Sequence, residues 1–297
     1  MVRLGYSSAA VVGLAGLGAA APAPLARRDV SADVLSQLNL FAEYAAASYC
    51  TPNINSTGDK LTCATGNCPT VQAAETTTLD EFYEDQEYGD VAGFLAVDKT
   101  NELIVLSFRG SRTPDTWTAN LDFGKIAAEE LCSGCEVHSG FWKSWQVVAD
   151  SLTSGVESAI AAYPGYTVVS TGHSFGAALA TLAATVLRNA GHTVELYPYG
   201  SPRIGNDALA QYMTDQGNNY RVTHTDDPVP KLPPILLGFN HLSPEYWITS
   251  ANNVTPSTTD IQVITGIGST DGNEGEKLDL SHSEAHSWYL IDISACQ

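Results

Sequence analysis

The serine best placed for nucleophilic chemistry is Ser174, in the run Gly172-His173-Ser174-Phe175-Gly176. The residues before it, Tyr166 to Ser170, have strand composition, and Ala178 to Ala190 has helix composition. Strand, tight turn and helix are the setting of a nucleophile elbow, in which framing glycines relieve the crowded backbone and the hydroxyl stands at a helix N-terminus. A serine hydroxyl is a weak nucleophile and needs a histidine base oriented by a carboxylate. On an α/β sheet of this kind the chain order is serine, acid, histidine. Asp226 and Asp227 follow the strand-like Tyr220 to His224, and one of the two is expected to face the base. Of seven histidines, His282 and His286 lie far enough downstream to be that base. Spacing favours His286, flanked by Ala285 and the pair Trp288-Tyr289, with His282 as the alternative. His241 sits close behind the acid, His138, His173 and His224 read as structural, and His192 as solvent-facing. The amide of Phe175 is one oxyanion donor by position, and Ser111, after Phe108-Arg109-Gly110, is the candidate for the second. Arg109 and Arg112 also admit a reading as surface charges.

The elements that must position these groups follow from periodicity. Val34, Leu38, Phe41 and Ala45 recur at helical spacing behind Ser31, a capping residue, and this helix should end near Cys50. The polar stretch from there to Glu87 reads mostly as loop. Val91 to Val97 and Leu103 to Phe108 form a hairpin across Asp98-Lys99-Thr100-Asn101. Thr113-Pro114-Asp115-Thr116-Trp117 carries cap, first-turn proline and acid, the signal of a short helix start beside Ser111, which reads equally as a lid or as a surface turn whose Trp117 packs on the core. From Trp145, Val148, Leu152, Val156, Ala159 and Ile160 mark an amphipathic helix that stops at Pro164-Gly165. Further strands are expected at Val194 to Tyr199, Tyr246 to Thr249 and Asp260 to Thr265, a helix through Met213, and a helical C-terminal segment from Ser281 to Cys296. Strands alternating with helices give an α/β fold with a mostly parallel sheet.

Composition narrows the class. Residues 1–21 read as a secretory signal, Arg3 leading an apolar alanine-rich stretch, and Arg27-Arg28 as a dibasic site closing a propeptide at 22–28, which leaves 29–297 as one domain. No other stretch is long and apolar enough to cross a bilayer, so no integral membrane segment is expected after the signal is removed. The chain has 14 basic and 33 acidic residues, and loss of residues 1–28 takes three arginines and no acid. Binding to nucleic acid through charge is thereby disfavoured. Six cysteines suit an oxidising compartment. Cys63 with Cys68 and Cys132 with Cys135 read as local clips, leaving Cys50 to pair with Cys296 across the longest loop. A single C-x-x-C without a second copy argues against zinc, and the chemistry requires no metal or cofactor. Asn55 and Asn253 head glycosylation sequons.

The motifs GHSFGAALA, FRGSRTPDTWTANLDF, YGSPRIGN, RVTHTDDPVPKLPP, SPEYWITS and EAHSWYL, with the cysteine placement, resemble the secreted filamentous-fungal class 3 lipases. The resemblance spans the chain from about Val30. It implies an α/β-hydrolase that cleaves triacylglycerol as a monomer at a lipid–water interface, with Ser174 as nucleophile, Asp227 as acid, His286 as base, oxyanion amides on Ser111 and Phe175, and the cysteine pairs above. Phe175 and Ala177 stand where the family's lipases commonly carry Leu and Gly, and alanine there also resembles the feruloyl esterase branch. Pro114 and Thr118 stand where apolar residues are common and thin the apolar face of the lid, which argues against strong interfacial activation. A feruloyl or short-chain carboxylesterase is the alternative activity, and a non-catalytic lipid-binding relative is the alternative class.

Overall fold

The computed structural model describes Met1 and residues 28–55, 57–86, 90–112, 123–280 and 284–297. The segment 113–117, His282 and residues 2–27 lie outside the described residues. In chain order the strands are β1 (Arg28–Asp29), β2 (Thr76–Glu84), β3 (Val91–Asp98), β4 (Leu103–Phe108), β5 (Lys125–Ala127), β6 (Glu136–His138), β7 (Thr167–His173), β8 (Val194–Tyr199), β9 (Arg221–His224), β10 (Glu245–Ile248), β11 (Ile261–Ile264), β12 (Trp288–Tyr289) and β13 (Ile291–Asp292). Nine of them make one sheet in the order β1-β11-β10-β9-β8-β7-β4-β3-β2. Strands β4, β7, β8, β9 and β10 are mutually parallel, and the antiparallel neighbours β3 and β11 close them in on either side. The C-terminal ends of the parallel strands therefore share one edge, where ligands gather on open α/β sheets.

Helices cover both faces. Ser31 caps the helix Ala32–Ala47 by accepting from the Val34 amide at 3.2 Å. Leu38, Phe41, Tyr44 and Ala45 of that helix are buried together with Val105, Val169 and Tyr197 of the sheet. On the opposite face lie the helices Ser139–Ala162 and Phe175–Asn189, whose Trp145, Leu152, Val156, Leu179 and Leu182 pack with Leu95, Leu106 and Leu196. Burying such side chains on both faces supplies the main stabilisation of a layered fold.

Three expectations need correction. The stretch before Glu87 is not mostly loop: it holds a 3₁₀ turn at Thr51–Ile54, a short helix Pro69–Ala73 and β2, which pairs along β3 with a bulge near Leu79. The Thr-rich run concealed an edge strand whose outer half is only partly buried, so its apolar alternation is faint. The helix placed from Trp145 begins at Ser139, because His138 Nδ1 accepts from the amides of Gly140 and Phe141 and caps it. Among the described residues the C-terminal segment is helical only at Glu284–Ser287, then reverses through Leu290 at φ +64° into the β12–β13 hairpin. A β-branched and aromatic tail favours that pairing over a continued helix.

Candidate active site

Ser174 follows the last residue of β7 and precedes the helix Phe175–Asn189, with φ +58° and ψ −127°. A left-handed φ on a residue with a side chain is strained, and surrounding structure must hold it. Here the Ser174 amide donates to the Tyr199 carbonyl at 2.9 Å, and its own carbonyl accepts from the amide of Ala177 at 3.0 Å. The framing glycines are required by close packing. A Cβ on Gly172 would stand 2.6 Å from the Gly176 carbonyl oxygen, and one on Gly176 would stand 2.3 Å from that of Phe108. The elbow thus sits directly on the end of β4, beside Gly110, where an added Cβ would stand 3.1 Å from that of Ser174. The Phe175 side chain turns into the core, its ring 6.0 Å from that of Phe141.

Asp227 follows β9 by three residues and is fully buried. Its Oδ2 accepts from His286 Nδ1 at 2.9 Å and from the Tyr289 hydroxyl, while Oδ1 accepts from the Val229 amide at 2.9 Å. Asn273 Nδ2 donates to the Asp227 carbonyl at 2.9 Å and steadies the turn. Asp226 is half-buried, and its Oδ1 accepts from the Thr225 hydroxyl at 3.4 Å. The Nε2 of His286 and the Oγ of Ser174 are both buried, and neither has a hydrogen-bond partner among the described residues. Buried polar atoms left without partners are costly and point to a role in binding or reaction.

His173 and His286 lie ring to ring at 4.5 Å. Burial, followed by the neighbouring His286, holds the pKa of His173 well below its ordinary value, so its ring is neutral. Its Nε2 meets the His286 carbonyl at 2.8 Å and its Nδ1 meets the Tyr49 hydroxyl at 2.7 Å. A neutral ring donates at Nε2 and accepts at Nδ1, which fixes the tautomer. Tyr49 and Tyr289 were not among the sequence-predicted site residues. The signal for Tyr289 was its place beside His286, whereas nothing local marked Tyr49.

Arg109 is not a surface charge. It is buried, pairs with Asp90 at 3.3 Å, lies 5.5 Å from the Tyr83 ring and donates through Nε to the Gly110 carbonyl at 3.3 Å. Arg112 is exposed. The cysteines pair as Cys50–Cys296, Cys63–Cys68 and Cys132–Cys135. Asn55 and Asn253 are exposed. His241 meets the Pro230 carbonyl, and His224 bridges the carbonyls of Ala285 and Ser250.

The family model for lipase (class 3) matches residues 105–237, and that for the lipase 3 N-terminal region matches residues 8–80. A secreted mono- and diacylglycerol lipase A of Penicillium cyclopium is 48% identical across 99% of this chain and 96% of its own length. The chain belongs to the class 3 lipase family. A second relative, the secreted mono- and diacylglycerol lipase 1 of Fusarium solani, is 38% identical over 90% of this chain and 79% of its own. Among solved structures, the mono- and diacylglycerol lipase from Aspergillus oryzae is 42% identical, with a TM-score of 0.85 over 89% of this chain and 98% of that one. A triacylglycerol lipase whose catalytic centre is described as a serine protease triad is 28% identical, with a TM-score of 0.78 over 91% of this chain and all of that one. The class 3 fold, an α/β-hydrolase with helices on both faces of a mostly parallel sheet, thus brings Ser174, Asp227 and His286 to one edge.

Proposed function

We propose that this class 3 lipase is a secreted glyceride hydrolase in which Ser174 is the nucleophile, His286 the base and Asp227 the orienting acid. The observation that carries the reading is the pair of buried, unpartnered atoms, Ser174 Oγ and His286 Nε2, with Asp227 bonded behind the imidazole. The substrate ester completes the set: Ser174 Oγ attacks the carbonyl carbon as its proton passes to His286 Nε2. Asp227 holds the Nδ1 proton and stabilises the imidazolium without taking the proton. The amides of Ser111 and Phe175 receive the oxyanion. His286 returns the proton to the leaving glycerol oxygen, and water repeats the sequence to release the fatty acid and restore Ser174. Residues 1–21 act as the signal, cleavage after Arg28 produces the mature chain, and that chain works as a monomer.

Mono- and diacylglycerols are the proposed substrates, supported by the names of the relatives at 48% and 38% identity. This narrows the triacylglycerol expectation. Purified enzyme is to be assayed on emulsified mono-, di- and triacylglycerol and on methyl ferulate. Fastest turnover of the partial glycerides supports the proposal, and faster turnover of triacylglycerol or of ferulate overturns the substrate assignment. Ser174→Ala should abolish hydrolysis and labelling by a serine-directed phosphonate while retaining its fold. Retained activity removes Ser174 from the mechanism, and failure of the phosphonate to label the unsubstituted enzyme favours a non-catalytic relative.

A further inference from the structure

We propose that the Cys50–Cys296 bridge is a clamp on the Gly110–Ser111 loop, and that Tyr49 and Gln297, the residues beside its two cysteines, are positioning residues for the Ser111 amide. The inference rests on the reading of Ser111 as an oxyanion donor. The bridge joins residues 246 apart in sequence. Its two neighbours converge on one loop from opposite termini of the described domain. On one side the buried Tyr49 hydroxyl lies 2.0 Å from where a Cβ on Gly110 would stand. On the other, Gln297 Nε2 donates to the Ser111 carbonyl at 3.0 Å. The peptide unit that carries the Ser111 N–H is also gripped at its oxygen, where Arg109 Nε meets the Gly110 carbonyl at 3.3 Å.

Restraining the carbonyls on both sides of Ser111 restricts the two dihedrals that aim its N–H. Aim matters here because an oxyanion donor contributes only when it is directed at the charge that develops in the transition state. Tyr49 has a second tie. Its hydroxyl donates to His173 Nδ1, and His173 Nε2 donates to the backbone carbonyl of His286, so one phenol sits between the oxyanion loop and the base. The C-terminal arm is itself anchored, with Asn67 Nδ2 donating to the Asp292 carbonyl at 2.9 Å and the Gln297 amide to that of Ser294 at 2.9 Å. The bridge therefore links ground that is fixed on both sides to a loop whose direction sets the rate.

The test compares kcat and KM on a soluble short-chain p-nitrophenyl ester, with thermal melting to follow the fold. Gln297 is exposed, so its substitution leaves the core intact. Gln297→Glu removes the donor and sets oxygens against the Ser111 carbonyl; kcat should fall by about tenfold with KM within about twofold. Gln297→Lys restores an N–H donor and should recover most of that loss. Tyr49→Phe should lower kcat in the same way. In Cys50→Ser/Cys296→Ser, kcat should fall and adding Gln297→Glu should cost little more, because the arm is already released. A bridge that only stabilises the fold gives a lower Tm, an unchanged kcat in Gln297→Glu and additive effects, and that pattern overturns the clamp. If the double cysteine variant does not fold, the Gln297 pair decides alone. Ser111→Pro, which lacks the N–H, separates the two levels: donor status predicts a loss of roughly 10²- to 10³-fold. Full activity in Ser111→Pro overturns the oxyanion reading itself, whereas a slow Ser111→Pro with an unmoved Gln297→Glu overturns only the clamp.

Discussion

The Asp227 carboxylate accepts three hydrogen bonds, from Val229, His286 and Tyr289, and only one of those donors belongs to the proposed reaction. Asp227→Asn keeps the shape but disturbs the imidazole tautomer, so kcat should fall by roughly 10³- to 10⁴-fold with near-normal folding. Steady-state kinetics on a soluble ester checks this, and a loss under tenfold would indicate that another acid serves His286. Tyr289→Phe removes a bond to a charged acceptor and should lower stability by about 1–3 kcal/mol. Its kcat loss should be far smaller than that of Asp227→Asn, since Nδ1 still has its carboxylate. Denaturant unfolding and kinetics on the two variants rank the donors. At this scale the sequence was legible where a motif fixed spacing: serine between glycines, aspartate after a strand, histidine near the end. The support was not, because Tyr49 reaches His173 across 124 residues and Gln297 reaches Ser111 across 186, with no local pattern to mark either.

The strand-to-helix junction can be tested as a unit. The Cβ of alanine at Gly172 or Gly176 would meet backbone oxygens at 2.6 Å and 2.3 Å, and backbone atoms cannot swing aside as a side chain can. Gly176→Ala should therefore destabilise the protein by more than about 3 kcal/mol, at the upper end for single substitutions. By contrast Gly191, which ends the same helix at φ +94° with nothing near the added carbon, should cost only about 1 kcal/mol on substitution by alanine. Equal losses in urea unfolding would mean that packing against β4 does not dictate the glycines of the elbow. Elements were legible where one periodicity ran unbroken, as in β3, β4 and the helix after Ser174. They were not where tertiary pairing decided, since β2 reads as polar until β3 is beside it, or where the element was too short for a period to register, as in the two-residue strands of the hairpin after Ser287.

Across the whole molecule, two opposed effects act when the pH falls from 7 to 5. The chain carries a formal charge of −19, and protonating its carboxylates relieves self-repulsion, which favours the folded state. Acting the other way, burial holds His173 and His241 well below their ordinary pKa of 6.5. Below pH 6.5 the unfolded chain protonates both while the folded chain does not, so stability falls as the pH drops, by at most about 1.4 kcal/mol per unit for each. At physiological salt the surface charges are screened within about 8 Å, whereas the buried His173 and the half-buried His241 are screened much less. The histidines should therefore prevail: unfolding free energy should be lower at pH 5 than at pH 7 in 0.15 M salt, and the difference should widen as salt is raised. His241→Gln keeps a donor for the Pro230 carbonyl and cannot take up the proton, so it should flatten the decline. Urea unfolding at the two pH values, for both proteins, measures it. An unchanged slope in His241→Gln removes that residue from the account, and a rise in stability toward pH 5 at high salt means that the carboxylates outweigh the two histidines.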